Sequence, residues 1–430
     1  MKTLILQTHT KSLFKASKIM ISVAEAKHTI LENILNFGTE EIPFIESVGR
    51  ILKEDIVADR DFPPFNRVAM DGIAINFRFF EYGVRDFKIE GIQPAGSEQE
   101  TMINASHCYE VMTGAVLPNN CDTVIRYEDV TLDNGMATVN IDTIREGQNV
   151  HDKGKDRTEG DVLIPKDIII SPAEIGVFAT VGKSKVKVAK QPKVMIVSTG
   201  DELVDVEEIP ETHQIRRSNV FTLVSLLERL HIPSETAHIT DDKPVLKEKI
   251  GSFLQDYDVL LFSGAVSKGK FDFLPEVLDE LGVKKLFHKV AQRPGKPFWF
   301  GISDAFGMSG DNKKEPNKTV VFAFPGNPIS TYVNCLAYFY PWYYKSVNVS
   351  QENTKAVLTE DIYFKPNLTY FLQVRLKSEN GILKAYPVKG NGSGDLASLT
   401  LADGFIVLPK SEEILFEKEN LYPVISYRSF

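Results

Sequence analysis

Three loops in the second half of the chain place glycine beside groups that could meet an anion. Thr199-Gly200-Asp201-Glu202 follows the apolar run Val194–Ser198. The stretch Ser263-Gly264-Ala265-Val266-Ser267-Lys268-Gly269 follows Val259–Phe262, and Pro325-Gly326-Asn327-Pro328 follows Thr319–Phe324. Glycine serves where a backbone turns sharply or approaches a ligand closely. The last two loops run into helical patterns. A helix start offers unpaired N–H groups and a positive dipole end, which suit a phosphate. Glu202, and Asp272 beyond the second loop, add carboxylates. Backbone donors with carboxylates suit a phosphate bound with Mg²⁺, which takes one or two carboxylates and keeps waters.

A basic segment lies between the second and third loops: Arg293-Pro294-Gly295-Lys296-Pro297, with Lys289 four residues upstream. Arginine offers a bidentate contact to an oxyanion and lysine a point charge. A substrate with several phosphoryl oxygens would use all three cations. Taken singly, each feature also reads as a tight turn, a capped helix or a solvated hairpin. Together they indicate an anionic or nucleotide ligand and no more.

The elements that must position these loops are legible nearby. Across residues 192–345, continuous apolar strands alternate with helical patterns over Ser218–Leu230, Val245–Leu254, Phe273–Leu281 and Ile329–Tyr338. This predicts a parallel sheet covered on both faces. Ligands bind outside the carboxyl ends of such strands, so the three loops should share one edge. Asp311–Lys318 reads as a polar surface loop.

Elsewhere the pattern differs. Ser22–Phe37 has helical spacing, with Ser22 and Glu25 set as a capping box. A second short helix is expected over Ser47–Leu52, followed by a strand at Ile56-Val57. From Asp61 to about Arg145, short β-rich runs (Phe87–Ile89, Tyr109–Met112, Thr123–Arg126, Met136–Val139) alternate with turns, among them Asp133-Asn134-Gly135. Ile168–Ile170 reads as a strand, Ser171-Pro172 as a helix start and Lys183–Lys190 as a solvated strand. From about Val349 onward strand patterns predict a small β domain or barrel.

A net charge of −9 and pI near 5.5 argue against broad binding of duplex nucleic acid, which needs a basic face. Cys108, Cys121 and Cys335 are far apart and form no C-x-x-C pair, so free thiols in a reducing compartment are expected. No apolar run approaches the ~20 residues needed to span a bilayer. Residues 1–19 are expected to be a disordered tail or an artefact of an upstream start codon, with Met20 opening the domain proper.

With these segments placed, the chain resembles the MoeA-type molybdopterin molybdenumtransferases, a family that includes the C-terminal half of gephyrin. Matching stretches run in order from Asp61-Phe-Pro-Pro-Phe65 and Ala69-Met-Asp-Gly72 through Met112-Thr-Gly114, Gly154-Lys-Asp156 and Ser198-Thr-Gly-Asp-Glu-Leu203. They continue through Gln214-Ile-Arg216, Ser218-Asn219, Ser263-Gly264, Val266-Ser267, Pro294-Gly-Lys-Pro297 and Pro325-Gly-Asn-Pro-Ile-Ser330.

The resemblance implies four domains. These are an elongated mixed domain (20–60 with 145–190), a β-rich insertion (61–144), a three-layer molybdopterin-binding α/β domain (191–345) and a C-terminal β-barrel-like domain (346–430). It implies a cytoplasmic homodimer whose site lies between the α/β domain of one subunit and the β-rich insertion of the other. The implied reaction inserts molybdate into adenylyl-molybdopterin and releases AMP, with a molybdopterin adenylyltransferase upstream.

Carried over residue by residue, the catalytic set is Asp71, Asp156, Glu202, Asp241, Asp272, Lys289, Arg293 and Lys296. Glu202 and Asp272 are the expected Mg²⁺ ligands. Thr113, Ser263, Gly264, Ser267, Gly269, Pro325, Gly326, Asn327 and Pro328 are the expected substrate contacts. Five positions depart from the family pattern: Val68 for Ser, Ile73 for Tyr, Arg157 for Ile, Ala265 for Gly and Arg293 for Lys. An adenylyltransferase would need only the α/β portion, and a gephyrin-like scaffold would not need the acids.

Overall fold

The computed structural model of the protein describes residues 20–264, 273–305 and 317–428. By compactness these fall into two units. One takes the described residues up to Glu40, Gly49–Ile51 and those from Val188 on. The other takes Glu41–Val48 and Leu52–Lys187. This division groups residues 20–40 with the α/β portion rather than with 145–187.

The first unit is built on a six-stranded sheet. Its strands in chain order are β1 (Val194–Thr199), β2 (Ser234–Ile239), β3 (Val259–Ser263), β4 (Lys284–His288), β5 (Trp299–Ala305) and β6 (Asn317–Phe324), arranged β2-β1-β3-β6-β5-β4. The first four of that order run parallel, as expected. The last two do not: β5 pairs antiparallel with β6, and β4 antiparallel with β5. Apolar content alone cannot tell a parallel from an antiparallel buried strand. The expected loop at 311–318 falls largely outside the described residues.

Strand pleat explains the three layers. Along β1, Val194 and Ile196 face one core while Met195 and Val197 face another. Leu261 and Phe322 join the first, and Leu260, Phe262 and Val321 the second. Helix α1 (Asn219–Glu228) covers the first face. Helices α2 (Lys243–Asp256) and α3 (Leu274–Glu280) cover the second. Each fully buried Phe or Leu contributes roughly 1.5–3 kcal/mol. The register sets Ser198 opposite Ser263, and Ser263 opposite Phe324, so three strands end at one level.

Some local expectations fail for identifiable reasons. The first helix starts as predicted, with Ser22 and Glu25 forming the capping box, but covers only Val23–Leu31. Beyond it the Asn33 carbonyl accepts the Trp342 indole N–H at 2.8 Å, a tertiary bond that diverts the backbone. No helix spans Ser47–Leu52. Gly49 sits at φ +81°, outside helical space, and a short 3₁₀ turn covers Phe44–Glu46 instead. The strand expected at Ile168–Ile170 is replaced by Val162–Ile164, which pairs with Ile56–Val57. The predicted 329–338 helix begins as α4 (Pro328–Asn334) and widens into a π turn over Cys335–Phe339 before continuing as α5 (Tyr340–Ser346).

The C-terminal strands close into a ring. Thr369–Glu379 pairs with both Ile382–Pro387 and Gly404–Leu408, and Lys355–Leu358 and Leu421–Ser426 complete a five-stranded barrel. The short strand Gln292–Arg293 adds in parallel to Thr369–Tyr370, tying the basic segment to the barrel.

In the second unit a six-stranded sheet runs from Gly72 to Val139, flanked by Thr123–Arg126 and Val130–Asp133. Asn134 (φ +46°) and Gly135 (φ +78°) form its predicted tight turn. Ser171 and Glu174 cap the helix Pro172–Thr180, which ends before Gly182 at φ +70°. Among the described residues no helix is long and apolar enough to cross a membrane.

Candidate functional site

Because β1, β3 and β6 end level, the described residues at their ends, which for β3 are Ser263 and Gly264, converge on one cleft of about 580 Å³. Thr199, Gly200, Glu202, Ser263, Gly264 and Pro325–Pro328 line it. The glycines have geometric reasons. Gly264 sits at φ +111°, and a Cβ there would lie 3.2 Å from the Thr199 carbonyl oxygen. Gly200 sits at φ +130°, with the Glu202 carboxylate folded over it so that a Cβ would come within 2.5 Å of Oε2. The Thr199 Oγ1 is buried at the cleft without a hydrogen-bond partner among the described residues.

Asn219, at the start of α1, fastens two of the loops. Its Nδ2 donates to Ser263 Oγ at 2.9 Å and to the Gly326 carbonyl at 2.7 Å. Asp241 reaches the cleft from the end of β2, with its N–H donating to Asp201 Oδ1 at 3.1 Å. Arg216 and Arg217 form another wall. Arg216 Nε donates to the Glu208 carbonyl at 3.0 Å, and Arg217 pairs with Asp205. Behind them, burial and the nearby Arg217 lower the His238 pKa, and its Nδ1 lies 3.1 Å from Ser198 Oγ.

The predicted cations do not line the first cleft. Arg293 and Lys296 are exposed and line a second cavity of about 410 Å³ beside the first. The two cavities share Pro297, Pro325 and Asn327 in their walls. Asn327 Nδ2 donates to Ser393 Oγ at 3.0 Å, which docks the 391–394 loop against this shared wall. Lys289 lines neither cavity. It sits at φ +97°, its backbone tied to Phe298 and Ile21.

Two further predicted acids, Asp71 and Asp156, lie in the second unit. Asp71 Oδ1 accepts from Thr113 N–H at 2.6 Å and from Thr113 Oγ at 2.7 Å. The backbone bond and then the hydroxyl bond hold this exposed carboxyl below its usual range. Asp156 Oδ1 lies 2.9 Å from His151 Nε2, and the Arg157 guanidinium donates to the Asp156 carbonyl at 2.7 Å. Val68 and Ile73, two of the departures, are fully buried in the insertion's core and absorbed by packing. Asp272, Ser267, Gly269 and Ala265 lie outside the described residues.

Sequence reasoning named Arg216 and Asn219 within matching stretches but gave them no role. It named Thr199 in the first glycine loop without giving it a role, and passed over Arg217 and His151. Asn219 follows a serine at a helix start, which reads locally as capping chemistry. Its role as a clamp depends on two loops 44 and 107 residues away.

Comparison with known proteins places this architecture. Residues 21–182 match the family described as the MoeA N-terminal region (domain I and II), 195–342 that of a probable molybdopterin binding domain, and 355–417 the MoeA C-terminal region (domain IV). Fold and site thus define a multidomain protein built around a molybdopterin-binding-type α/β domain.

A molybdopterin molybdenumtransferase of Synechocystis is 40% identical over 411 residues, spanning 95% of this chain and 100% of that protein. One from Staphylococcus epidermidis is 30% identical, spanning 90% and 91%. Crystal structures of the molybdopterin biosynthesis MoeA protein from Pyrococcus horikoshii superpose with TM-scores of 0.80 and 0.78 at 28% and 27% identity. They cover 96% and 95% of this chain and 100% of theirs. The chain belongs to the molybdopterin molybdenumtransferase (MoeA) family and is a transferase of molybdenum cofactor biosynthesis.

Proposed function

We propose that the chain inserts molybdate into adenylylated molybdopterin and releases AMP. The observation that carries this is the convergence of Gly200, Gly264 and Gly326 with two carboxylates on one cleft, with a cationic cavity sharing its wall. Phosphoryl chemistry is mostly positioning and charge stabilisation, and a cleft of fixed backbone and charge supplies both. In this reading the two dithiolene sulfurs bind molybdenum as their protons leave with one molybdate oxygen as water, and a water attacks the anhydride so that AMP departs.

Residues divide the work by position. Ser263, Gly264 and Pro325–Asn327 hold pterin and phosphate. Arg216 and Arg217 bring positive charge to the same cleft. Arg293 and Lys296 meet anionic oxygens of substrate or molybdate in the adjoining cavity. Asp71, Thr113 and Asp156 act from the partner subunit of a homodimer, with His151 orienting Asp156.

Mg²⁺ fits the donor set without a dedicated cage. Among the described residues no group of three His, Cys, Asp or Glu gathers at one point. Glu202 and Asp241 in one cleft suit a cation that takes one or two carboxylates and completes its shell with water and phosphate oxygen. When bound it would neutralise charge on the anhydride. The proposed compartment is cytoplasmic, in keeping with three free cysteines, and the proposed supplier of substrate is an adenylyltransferase.

The test is AMP release from purified protein given adenylyl-molybdopterin, Mg²⁺ and molybdate. Molybdate-dependent AMP release with metal in the pterin product is the expected result. Substrate binding without AMP release would overturn the proposal.

A further inference from the structure

Beneath the Arg293–Lys296 segment lies a polar network inside an aromatic core. Gln292, Asn334 and Tyr338 are exposed by only 1%, 0% and 1%. Tyr338 Oη–H donates to Gln292 Oε1. Gln292 Nε2 donates to Asn334 Oδ1 at 2.7 Å and to the Pro294 carbonyl at 2.9 Å. Asn334 Nδ2 donates to the Gly295 carbonyl at 3.4 Å. The chain of donors therefore ends on the two carbonyls that lie between Arg293 and Lys296.

The loop is seated directly on these amides. Gly295 sits at φ +87°, and a Cβ there would lie 2.7 Å from Asn334 Oδ1 and 2.8 Å from Gln292 Nε2. The helix that supplies two of the three side chains is distorted at this place. Pro341 has no N–H to offer the Ala337 carbonyl, and the helix widens into the π turn Cys335–Phe339 that carries Tyr338. Such turns recur at functional sites. A core serving stability alone could hold apolar side chains of the same shape at little or no loss.

We propose that Gln292, Asn334 and Tyr338 are positioning residues that hold the Arg293 and Lys296 cations at the second cavity. The inference rests on the reading that those cations meet anionic oxygens. The network acts through the loop and touches no substrate. Burial pushes the Tyr338 hydroxyl up, so it stays a donor throughout neutral pH.

The test compares the full-length enzyme with Tyr338→Phe, which keeps the ring on Phe298, and with Gln292→Met, which keeps the length. Each is also combined with Lys296→Ala. Calorimetric binding of molybdate is followed alongside AMP release, and melting temperatures are recorded for every variant. Tyr338→Phe should weaken molybdate binding and lower kcat/KM by about 3–10-fold, the worth of one hydrogen bond, and Gln292→Met, which removes three, should lower both further. In the Lys296→Ala background the same changes should add less than about twofold, since coupled residues are non-additive. Wild-type binding and turnover in both variants would overturn the proposal. So would losses that multiply in full with Lys296→Ala, because these would mark a purely structural role. If Lys296→Ala alone changes neither binding nor turnover, the reading of the cations fails and the inference falls with it.

Discussion

Asn219→Ala removes one amide that donates to two loops. Its bonds to Ser263 Oγ (2.9 Å) and the Gly326 carbonyl (2.7 Å) have ordinary geometry, so each contributes about 0.5–1.5 kcal/mol. Gly326 is exposed and its carbonyl regains water, whereas Ser263 is only 4% exposed and regains less. The sum is therefore set near the lower half of the range, at about 1–2 kcal/mol. If the clamp serves loop position, that energy is lost from the transition state, and kcat/KM for AMP release falls roughly 5–30-fold. Should it serve only stability, the same energy appears as a fall in Tm of about 2–8 °C with kcat/KM unchanged. Steady-state AMP release and a thermal melt on the same preparation separate the two. A variant with wild-type kcat/KM would refute the positioning argument, whatever its Tm.

Further outcomes follow from the same geometry. Gly264→Ala must place a Cβ at φ +111° and 3.2 Å from a carbonyl oxygen, so it should cost at least ~1–2 kcal/mol and lower the Tm. Gly326→Ala meets its nearest neighbour, Gly264 Cα, at 3.7 Å and should melt like wild type. Equal melts would refute the glycine argument. Lys296→Ala should lower kcat/KM by roughly 10–150-fold, the value of a hydrogen bond to a charged group. Mixing it with Asp71→Ala protein should restore part of the activity if the site is shared across a dimer, and no rescue would place it within one chain. Thr113→Val removes one of the two bonds that hold the Asp71 carboxyl low, so the pKa read by carboxyl-carbon NMR should rise. The stabilisation from that pair is fully present above the ordinary carboxylate value of about 3.9 and is lost as pH falls through the lowered native value. An unchanged titration would show that Thr113 does not set it.

Much of the fold was legible because local chemistry and final structure agree. Ser22 with Glu25, Ser171 with Glu174, and Asn134-Gly135 are short-range signals whose partners lie within a few residues. Continuous apolar runs at β1, β3 and β6 predicted a buried parallel sheet, and the connection rule then predicted that their loops share an edge. Strand direction at β4 and β5 was not legible. A buried strand looks the same in either direction, and pairing is decided by partners elsewhere.

The sequence by itself determined the class of chemistry: glycine turns, carboxylates and cations in an order that matches one family. Tertiary structure decided which of those groups meet. It set Glu202 and Asp241 in one cleft, moved Arg293 and Lys296 to a neighbouring cavity and left Lys289 out of both. It also made Asn219 a clamp and buried Gln292, Asn334 and Tyr338 under the basic loop. The physical reason is range. A cap or a tight turn is closed by neighbours in the chain, whereas a hydrogen bond across 42 to 107 residues exists only once the sheet and barrel have brought its ends together.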